Sequence, residues 1–301
     1  MTKKRALTIS LLATISISAI AAFYISRAAD GRHEALGTAG SQAKPKPSRP
    51  LASEDIQKLA NQRKISPSVV RPELGSAFSI NRNGPLRPPG DALRYARSLL
   101  LASESGDAIA TYDIFLATLD CANRLRNAGV MYQEVSSGDS SLTPASHTAE
   151  EKEKLLECEG LLTSDDFAGK SWLKTAAEQG SVEAMLMYST NPDHVLGDVR
   201  DYSLKPDLVQ KWKDDSMVYL TRASSVGSTD ALYTLSDVYR NGIIAPHSAV
   251  DAYAYRMAAD KATGTSTDRR IQTSLTKGMT PIQIREAERR SQQILHSCCT
   301  N

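Results

Sequence analysis

Four cysteines are the residues of this sequence most able to do chemistry, because a thiol can form a disulfide, bind a metal or act as a nucleophile. Cys121 and Cys158 lie in two segments with helical spacing, which a long polar stretch separates. If those helices are antiparallel neighbours in an oxidising compartment, the two thiols form a disulfide. In the entropic model such a bond stabilises the fold by about 4 kcal/mol. The alternative is a pair of buried free thiols.

Cys298 and Cys299 are adjacent and lie close to the last residue. A disulfide between neighbouring residues is strained and rare. The sequence therefore favours frayed thiols or pairing with another chain, and a redox function is a third interpretation. His296 beside them makes a weak metal-ligand group, but no two of the five histidines have a metal-ligand spacing. We therefore predict no metal site.

The sequence also lacks most motifs that define enzyme active sites. It contains neither His-Glu-x-x-His nor Gly-x-Ser-x-Gly, and it has no phosphate-binding loop or dinucleotide fingerprint. Periodicity brings no pair of carboxylates together for general acid–base catalysis. Lys plus Arg is 36 and Asp plus Glu is 34, so the net charge of +2 gives no reason to expect a nucleic-acid partner. We predict a protein without catalytic residues or a cofactor.

The N-terminal segment predicts export. A basic run at positions 3–5 precedes residues 6–25, which carry no charge and as a helix would span the hydrocarbon core of about 30 Å. The preceding positive charge places the N-terminus in the cytoplasm. Residues 1–27 are then either an uncleaved transmembrane anchor, favoured by their length, or a cleaved signal peptide, favoured by small residues near the end. Both alternatives place the remainder in a bacterial periplasm, and the first anchors it in the inner membrane.

Residues 28–53 are rich in Ala, Ser, Lys and Pro and show no periodicity, and eight of the 13 prolines lie between Pro45 and Pro89. We interpret residues 28–90 as a mostly irregular linker, with one short helix over Ser53–Arg63. From Asp91 onward apolar residues recur at three- and four-residue steps, and no stretch alternates as a half-buried strand would. The predicted fold class is all-α, and residues 91–163 are expected to form degenerate helical hairpins.

Two later segments match each other. Residues 172–188 and 219–235 share six positions at one offset, which is 219 minus 172, or 47 residues. In each copy a large residue packs against a neighbouring helix, small alanines let helices approach, and a Gly supplies a turn with positive φ. A Ser after the Gly caps the next helix. One such hairpin cannot bury its own apolar face, so neighbouring hairpins must stack.

These residues resemble the Sel-one-like repeat (SLR), a relative of the tetratricopeptide repeat. The SLR pattern has a double Ala before a Gly, and a Tyr-x-x-Gly that closes the second helix. The matching positions are Ala176, Ala177, Gly180, Gly227, Tyr239, Gly242, Ala258 and Ala259. The resemblance is good over 168–264, fair over 280–296, weak over 91–127 and absent before 90. It implies a short α-solenoid of stacked helical hairpins, with SLR-like repeats in residues 164–264.

Two parts of the chain need separate treatment within this scheme. Residues 189–207 lengthen one repeat, so this connection is either an inserted loop or a repeat with a decayed turn. Residues 265–301 are expected to form a C-terminal capping helix, with Thr280 as N-cap and Gln283 as its capping-box partner. Its apolar stripe should dock on the helix expected over residues 248–261.

The resemblance implies an adaptor or scaffold that binds an unidentified protein or peptide partner in the bacterial envelope. The helix after each Gly would line the partner surface. In the second copy its solvent-side residues are Tyr233, Asp237 and Arg240, for which an ordinary solvated face is the alternative. Some cysteine-rich SLR proteins are associated with β-lactam binding or hydrolysis, and this is the alternative function. The chain lacks their disulfide in every repeat.

Overall fold

A computed structural model describes residues 53–136 and 144–299, with side chains over 56–127 and 152–299. This part of the chain is mostly helical, as the all-α class predicts, and contains one short β-hairpin. The helices are α1 (Ser53–Arg63), α2 (Ala92–Glu104), α3 (Ala108–Ser136), α4 (Pro144–Thr163), α5 (Trp172–Gln179), α6 (Val182–Thr190), α7 (Asp193–Leu196), α8 (Pro206–Ser225), α9 (Thr229–Asn241), α10 (Ala249–Ala262), α11 (Arg269–Thr276) and α12 (Pro281–Cys299). The strands are β1 (Val70–Pro72) and β2 (Phe78–Ile80), and a 3₁₀ helix spans Val199–Leu204.

The expected membrane segment, residues 1–27, and the first part of the linker lie outside the described residues. Within the described ranges, no helix combines the length and the apolar character needed to cross a bilayer.

The two matched segments form helical hairpins with the same local chemistry. α5 ends at Gly180, which has φ of 107° and adopts the left-handed conformation that favours glycine. Ser181 then caps α6 by accepting a hydrogen bond from the backbone N of Ala184 at 3.2 Å. One offset later, Ser228 caps α9 by accepting from Ala231 N, also at 3.2 Å. The repeat therefore has a physical basis in both copies.

Each hairpin contacts the next one along the chain. The pairs α2/α3, α5/α6, α8/α9 and α10/α12 are each in contact internally, and successive pairs meet through α3 with α5, α6 with α8, and α9 with α10. The lengthened connection is partly helical, because α7 and the 3₁₀ helix lie between α6 and α8.

The C-terminal region contains two helices where one was expected, since α11 precedes α12. The predicted capping box of α12 is present: Thr280 N donates to Gln283 Oε1 at 2.8 Å, and Gln283 N donates to Thr280 Oγ1 at 3.3 Å. As predicted, α12 packs on α10, and the fully buried Ala287 joins Tyr253 and Met257 in one apolar cluster.

Residues 64–90, which we call the strap, pack against the helices. Ile65, Val70 and Phe78 are at most 2 % exposed and belong to the main apolar core. β1 and β2 pair antiparallel, with Val70 opposite Ile80. The prediction that residues 28–90 form a linker between membrane and body therefore does not hold for the strap. Each strand has only three residues, too few to produce a visible alternation in a Pro-rich sequence.

The centre of the strap is hydrogen-bonded to the turn between α8 and α9. Phe78 N donates to Gly227 O at 2.9 Å, and Thr229 Oγ1 donates to Phe78 O at 3.2 Å. Two residues later, Ile80 N donates to Asp230 Oδ2 at 2.8 Å. The outer edge of β2 is thus paired with the helical body, which covers hydrogen-bonding groups that an exposed strand would present to solvent.

The strap also contacts the α5/α6 hairpin at two points. Lys64 Nζ donates to Gln179 O at 2.6 Å, at the last carbonyls of α5. Arg82 forms a two-pronged ion pair with Glu183, with both nitrogen–oxygen distances at 2.9 Å. Glu183 lies in the first turn of α6, where a carboxylate is favoured by the helix dipole. The strap therefore contacts both matched hairpins, at the α5/α6 turn and at the α8/α9 turn.

We predict that Phe78→Ala lowers the free energy of unfolding by about 3–5 kcal/mol, because it removes a fully buried aromatic side chain from the core. The measurement is urea denaturation of the purified chain. Leu101→Ala is the control, since Leu101 on α2 is 77 % exposed and its truncation should change the midpoint little. Equal midpoints for the two variants would show that the strap does not contribute to the core.

Candidate functional site

Tyr233, expected on the solvent side of α9, lies against the next helix. Its hydroxyl donates a 2.8 Å hydrogen bond to Asp260, and the Arg256 guanidinium lies 4.9 Å from the centre of its ring. Asp260 is only 3 % exposed and also accepts from Arg256 Nε. Tyr233 is thus part of the packing of α9 on α10, and the prediction that it faces solvent does not hold. The helical periodicity of the sequence predicts the face of α9 on which Tyr233 lies, but it does not predict that α10 packs against that residue.

Asp237 and Arg240 keep the exposure that the sequence predicts. Their side chains form an ion pair of 2.8 Å and are 42 % and 39 % exposed. A surface pair of this kind adds little to stability. A charged group on a partner could therefore replace either half of the pair at small cost.

The residues of the repeat pattern serve packing and turns. Its four alanines are completely buried, and Tyr239 is half-buried and stacked on Tyr255 with 5.7 Å between ring centres. Gly227 has a further role that the sequence does not reveal: a Cβ at this position would lie 2.7 Å from the backbone oxygen of Ser76. The strap can approach this turn so closely only because residue 227 has no side chain.

Cys121 and Cys158 are bonded in the structure, with Sγ atoms 2.04 Å apart, and join α3 to α4. Arg87 of the strap lies beside the bond and is 5 % exposed. It donates to Glu157 at 2.8 Å, and its Nε lies 3.0 Å from an Asp120 oxygen. The second contact is an ion pair without hydrogen-bond alignment. Two carboxylates thus offset the cost of burying this guanidinium.

An apolar groove of about 360 Å³ runs along α3 and α4 beside this disulfide. The sequence analysis does not predict this groove. Leu125 and Leu156, which belong to the helical pattern of the sequence, are 57 % and 61 % exposed in the structure. The other lining residues are Lys152, Leu155, Cys158, Glu159, Leu162 and Thr163.

Cys298 and Cys299 are also bonded to each other, with Sγ atoms 2.03 Å apart. The sequence favoured frayed thiols or pairing with another chain, and the structure differs on both points. The two residues are 6 % and 4 % exposed and form the last turn of α12. The expectation rests only on the general rarity of vicinal disulfides. That rarity says nothing about the packing of this particular turn, which lies against the strap.

Within the described residues, only Asp120, Cys121 and Cys158 have atoms grouped closely enough to hold a metal ion. Because the two sulfurs are bonded to each other, neither is a thiolate ligand. This group therefore does not favour a metal site.

Three Ser–Lys arrangements among the described residues bear on the alternative of β-lactam chemistry. Two have the Ser-x-x-Lys spacing, Ser171 with Lys174 and Ser274 with Lys277. Ser171 is exposed at the start of α5, and Lys174 is paired with the carboxylates of Glu178 and Asp215, at 3.6 and 3.9 Å.

The other two arrangements lie near the C-terminus. Ser274 and Lys277 are both exposed, and α11 ends between them. Lys261 Nζ lies 3.3 Å from Ser291 Oγ. Ser291 is completely buried between helices, so a substrate carbonyl cannot reach its hydroxyl in this conformation. None of the three arrangements favours a serine nucleophile.

An acidic group with a shifted pKa lies next to the Arg82–Glu183 pair. Burial raises the pKa of Asp113 on α3 to about 6, and the carboxylates of Glu183 and Asp107 add to this shift while Arg82 opposes it. Arg82 also lies 5.8 Å from the centre of the Tyr112 ring. The cluster combines a strap residue with residues of α3 and α6, so the charge on Asp113 affects how these three parts pack.

We predict that Asp113→Asn stabilises the protein at pH 7 and leaves its stability at pH 4 nearly unchanged. A folded-state pKa above the unfolded value means that the folded protein binds more protons between about pH 4 and 6, so the free energy of unfolding falls as pH rises through that window. The amide cannot ionise, so the variant avoids this loss of about 1–3 kcal/mol.

Urea denaturation at the two pH values measures the effect. Asp165→Asn, at an exposed residue in the turn before α5, is the control and should show the same difference from the wild type at both. An Asp113→Asn protein that loses as much stability between pH 4 and 7 as the wild type would contradict the prediction.

Comparison with known proteins gives no family assignment. No protein-family model matches the chain, and no curated protein is significantly similar to it.

Proposed function

We propose that this protein is a non-catalytic adaptor of the SLR type, exported to the bacterial envelope, where it binds a protein or peptide partner. The observation that carries the proposal is the repeated hairpin. In both copies the Gly turn, the Ser cap and the buried alanines occupy equivalent positions. All these residues serve helix packing, and arrays of such hairpins present surface for binding.

The arrangement of helices supports a short α-solenoid. With α4 left aside, since it packs on α2 and α3, helix pairs that follow one another in the chain also contact one another, from α2/α3 through to α10/α12. α12 would close the array, since it presents Ala287 and Ile284 to α10 while Arg285, Glu288 and Arg289 are exposed. A polar outer face is what a terminal repeat requires.

The contact surface that we propose lies on α9 and includes Asp237 and Arg240. Both charges project from the helix after the repeat Gly, and their pairing is at the surface. Tyr233 is not included, because its hydroxyl is bonded to Asp260. We expect a partner with complementary charges at this surface and place no catalytic role on any residue.

To test the proposal, a photo-crosslinking amino acid is placed at Arg240 in the full chain, and cells are irradiated before lysis. We expect one discrete crosslinked product, because a partner on α9 lies within reach of the probe. The matched control is the same probe at Arg285, an exposed residue of α12. The same product should be reduced by Asp237→Arg, which reverses one charge of the surface. Indistinguishable products from positions 240 and 285 would contradict an adaptor surface on α9.

Export is tested separately with alkaline phosphatase fused after residue 301. Phosphatase forms its disulfides only outside the cytoplasm, so the basic run before residues 6–25 predicts an active fusion. A fluorescent reporter that folds only in the cytoplasm, fused at the same place, should be inactive. The reverse pattern would show that the body of the protein is cytoplasmic.

A further inference from the structure

The Cys298–Cys299 disulfide lies where three parts of the chain meet. It packs in one apolar cluster with the strap, α9 and α10, and both cysteines are nearly inaccessible to solvent. The other buried members of the cluster are Ala77, Leu232, Ala259 and Ala262. Any change in these two residues is therefore transmitted directly to the strap.

The peptide carbonyls of both cysteines hold the turn between β1 and β2. Ser76 N donates to Cys299 O at 3.2 Å, and Ser76 Oγ donates to Cys298 O at 3.1 Å. On the other side of the turn, Leu74 N donates to Ala262 O at 3.0 Å. The backbone of Cys298 also lies at the Gly227 turn, since its oxygen would be 3.3 Å from a Cβ placed there. Two of the bonds that hold the strap thus depend on the conformation of one dipeptide.

This disulfide differs in effect from the other one. Cys121 and Cys158 are separated by 37 residues, so their bond restricts a long loop of the unfolded chain. Cys298 and Cys299 have a separation of 1. Their bond closes only a small ring around a single peptide unit, so it restricts almost none of the unfolded chain. What it constrains is the local backbone whose carbonyls hold Ser76.

We propose that Cys298–Cys299 is a thiol–disulfide exchange site, and that its redox state controls how firmly the strap is held. The co-reactant is a dithiol, either a small molecule or a protein. Because both sulfurs are buried, exchange takes place from conformations in which the last turn of α12 has opened locally. One thiolate of the dithiol then attacks a cysteine sulfur, the Sγ–Sγ bond breaks, and the departing cysteine thiolate takes a proton. The second thiolate then attacks the mixed disulfide and releases the other cysteine. Two electrons and two protons pass to the protein, and the dithiol leaves as a disulfide.

Reduction changes what the last turn of α12 can present to the strap. In a regular helix successive side chains diverge by about 100°, and neighbouring positions do not face each other. The two free thiols therefore point in different directions, and one of them leaves the apolar junction. The dipeptide reorients as its side chains separate, and the carbonyl bonds to Ser76 are lost. The strap then opens locally at its turn while β2 keeps its pairing with the α8/α9 turn.

The experiment uses the full chain with excess dithiothreitol as the dithiol. Alkylation and peptide mapping report which disulfides are intact, and hydrogen exchange reports protection of residues 74–80. The matched control is the double variant C298S/C299S, which retains Cys121 and Cys158. Because both proteins lose the Cys121–Cys158 bond under reductant, a change of exchange rate on reduction that only the wild type shows is due to the vicinal pair.

In the oxidised wild type we expect Cys298 and Cys299 to be linked and the amides of Ser76 and its neighbours to be protected. Reduction should accelerate their exchange by about tenfold, the order expected for losing one or two hydrogen bonds. C298S/C299S should exchange at the faster rate without reductant, and the reductant should not change that rate further.

Four results would overturn the proposal. The first is unchanged exchange in wild-type protein whose Cys298–Cys299 bond is shown by mass to be open. The second is a vicinal bond that persists in excess dithiothreitol after Cys121–Cys158 has been reduced. The third is a chain, purified without reductant, in which both thiols are free. A C298S/C299S variant as protected as the oxidised wild type would count equally against it.

Discussion

The backbone of Phe78 lies against the turn at Gly227, and much of the fold is arranged around this contact. The approach is possible only because residue 227 has no side chain, since a Cβ there would be 2.7 Å from the oxygen of Ser76. Once the backbones are this close, Phe78 N pairs with Gly227 O and its ring becomes completely buried. A single Gly thus has two roles: it forms the turn between two repeat helices, and it allows the backbone of the strap to pack against that turn.

The strap also explains the distribution of buried charge. Arg82 and Arg87 both leave the strap to meet carboxylates on the helices, at Glu183 and at Asp120 with Glu157. Removing a charge from water is costly unless it is paired and hydrogen-bonded. If the strap shifted along the helices, these carboxylates would stay partly buried but lose their arginine partners. The ion pairs therefore favour one register of the strap over others.

Particular residues show how far the sequence alone could predict this structure. The Ser caps, the positive φ of Gly180 and the Thr280–Gln283 box all follow from interactions within a few residues of each other, so local pattern is sufficient for them. The position of the strap depends on contacts such as Ile80 N with Asp230, which are 150 residues apart.

The candidate site is also less predictable than the helices, because it too depends on contacts between residues far apart in the sequence. Helical phase placed Tyr233, Asp237 and Arg240 on one side of α9, but only the packing of α10 decides that Tyr233 is covered and the other two are not. Similarly, the adjacency of Cys298 and Cys299 is visible in the sequence, whereas the role of their carbonyls depends on Ser76, which is 222 residues away from Cys298.

If the protein is the adaptor that we propose, these constraints narrow where its partner binds. The turn between α8 and α9 is occupied by the backbone of β2, so its donors and acceptors are already paired within the chain. A partner that used this turn would have to displace Phe78 from the core, at a cost comparable to a large core substitution. Binding on the exposed face of α9 does not displace a core side chain, and the Asp237–Arg240 ion pair at this face is a surface pair of low energy. In the proposed adaptor, the strap would therefore direct a partner away from the repeat turns and towards the outward helix faces.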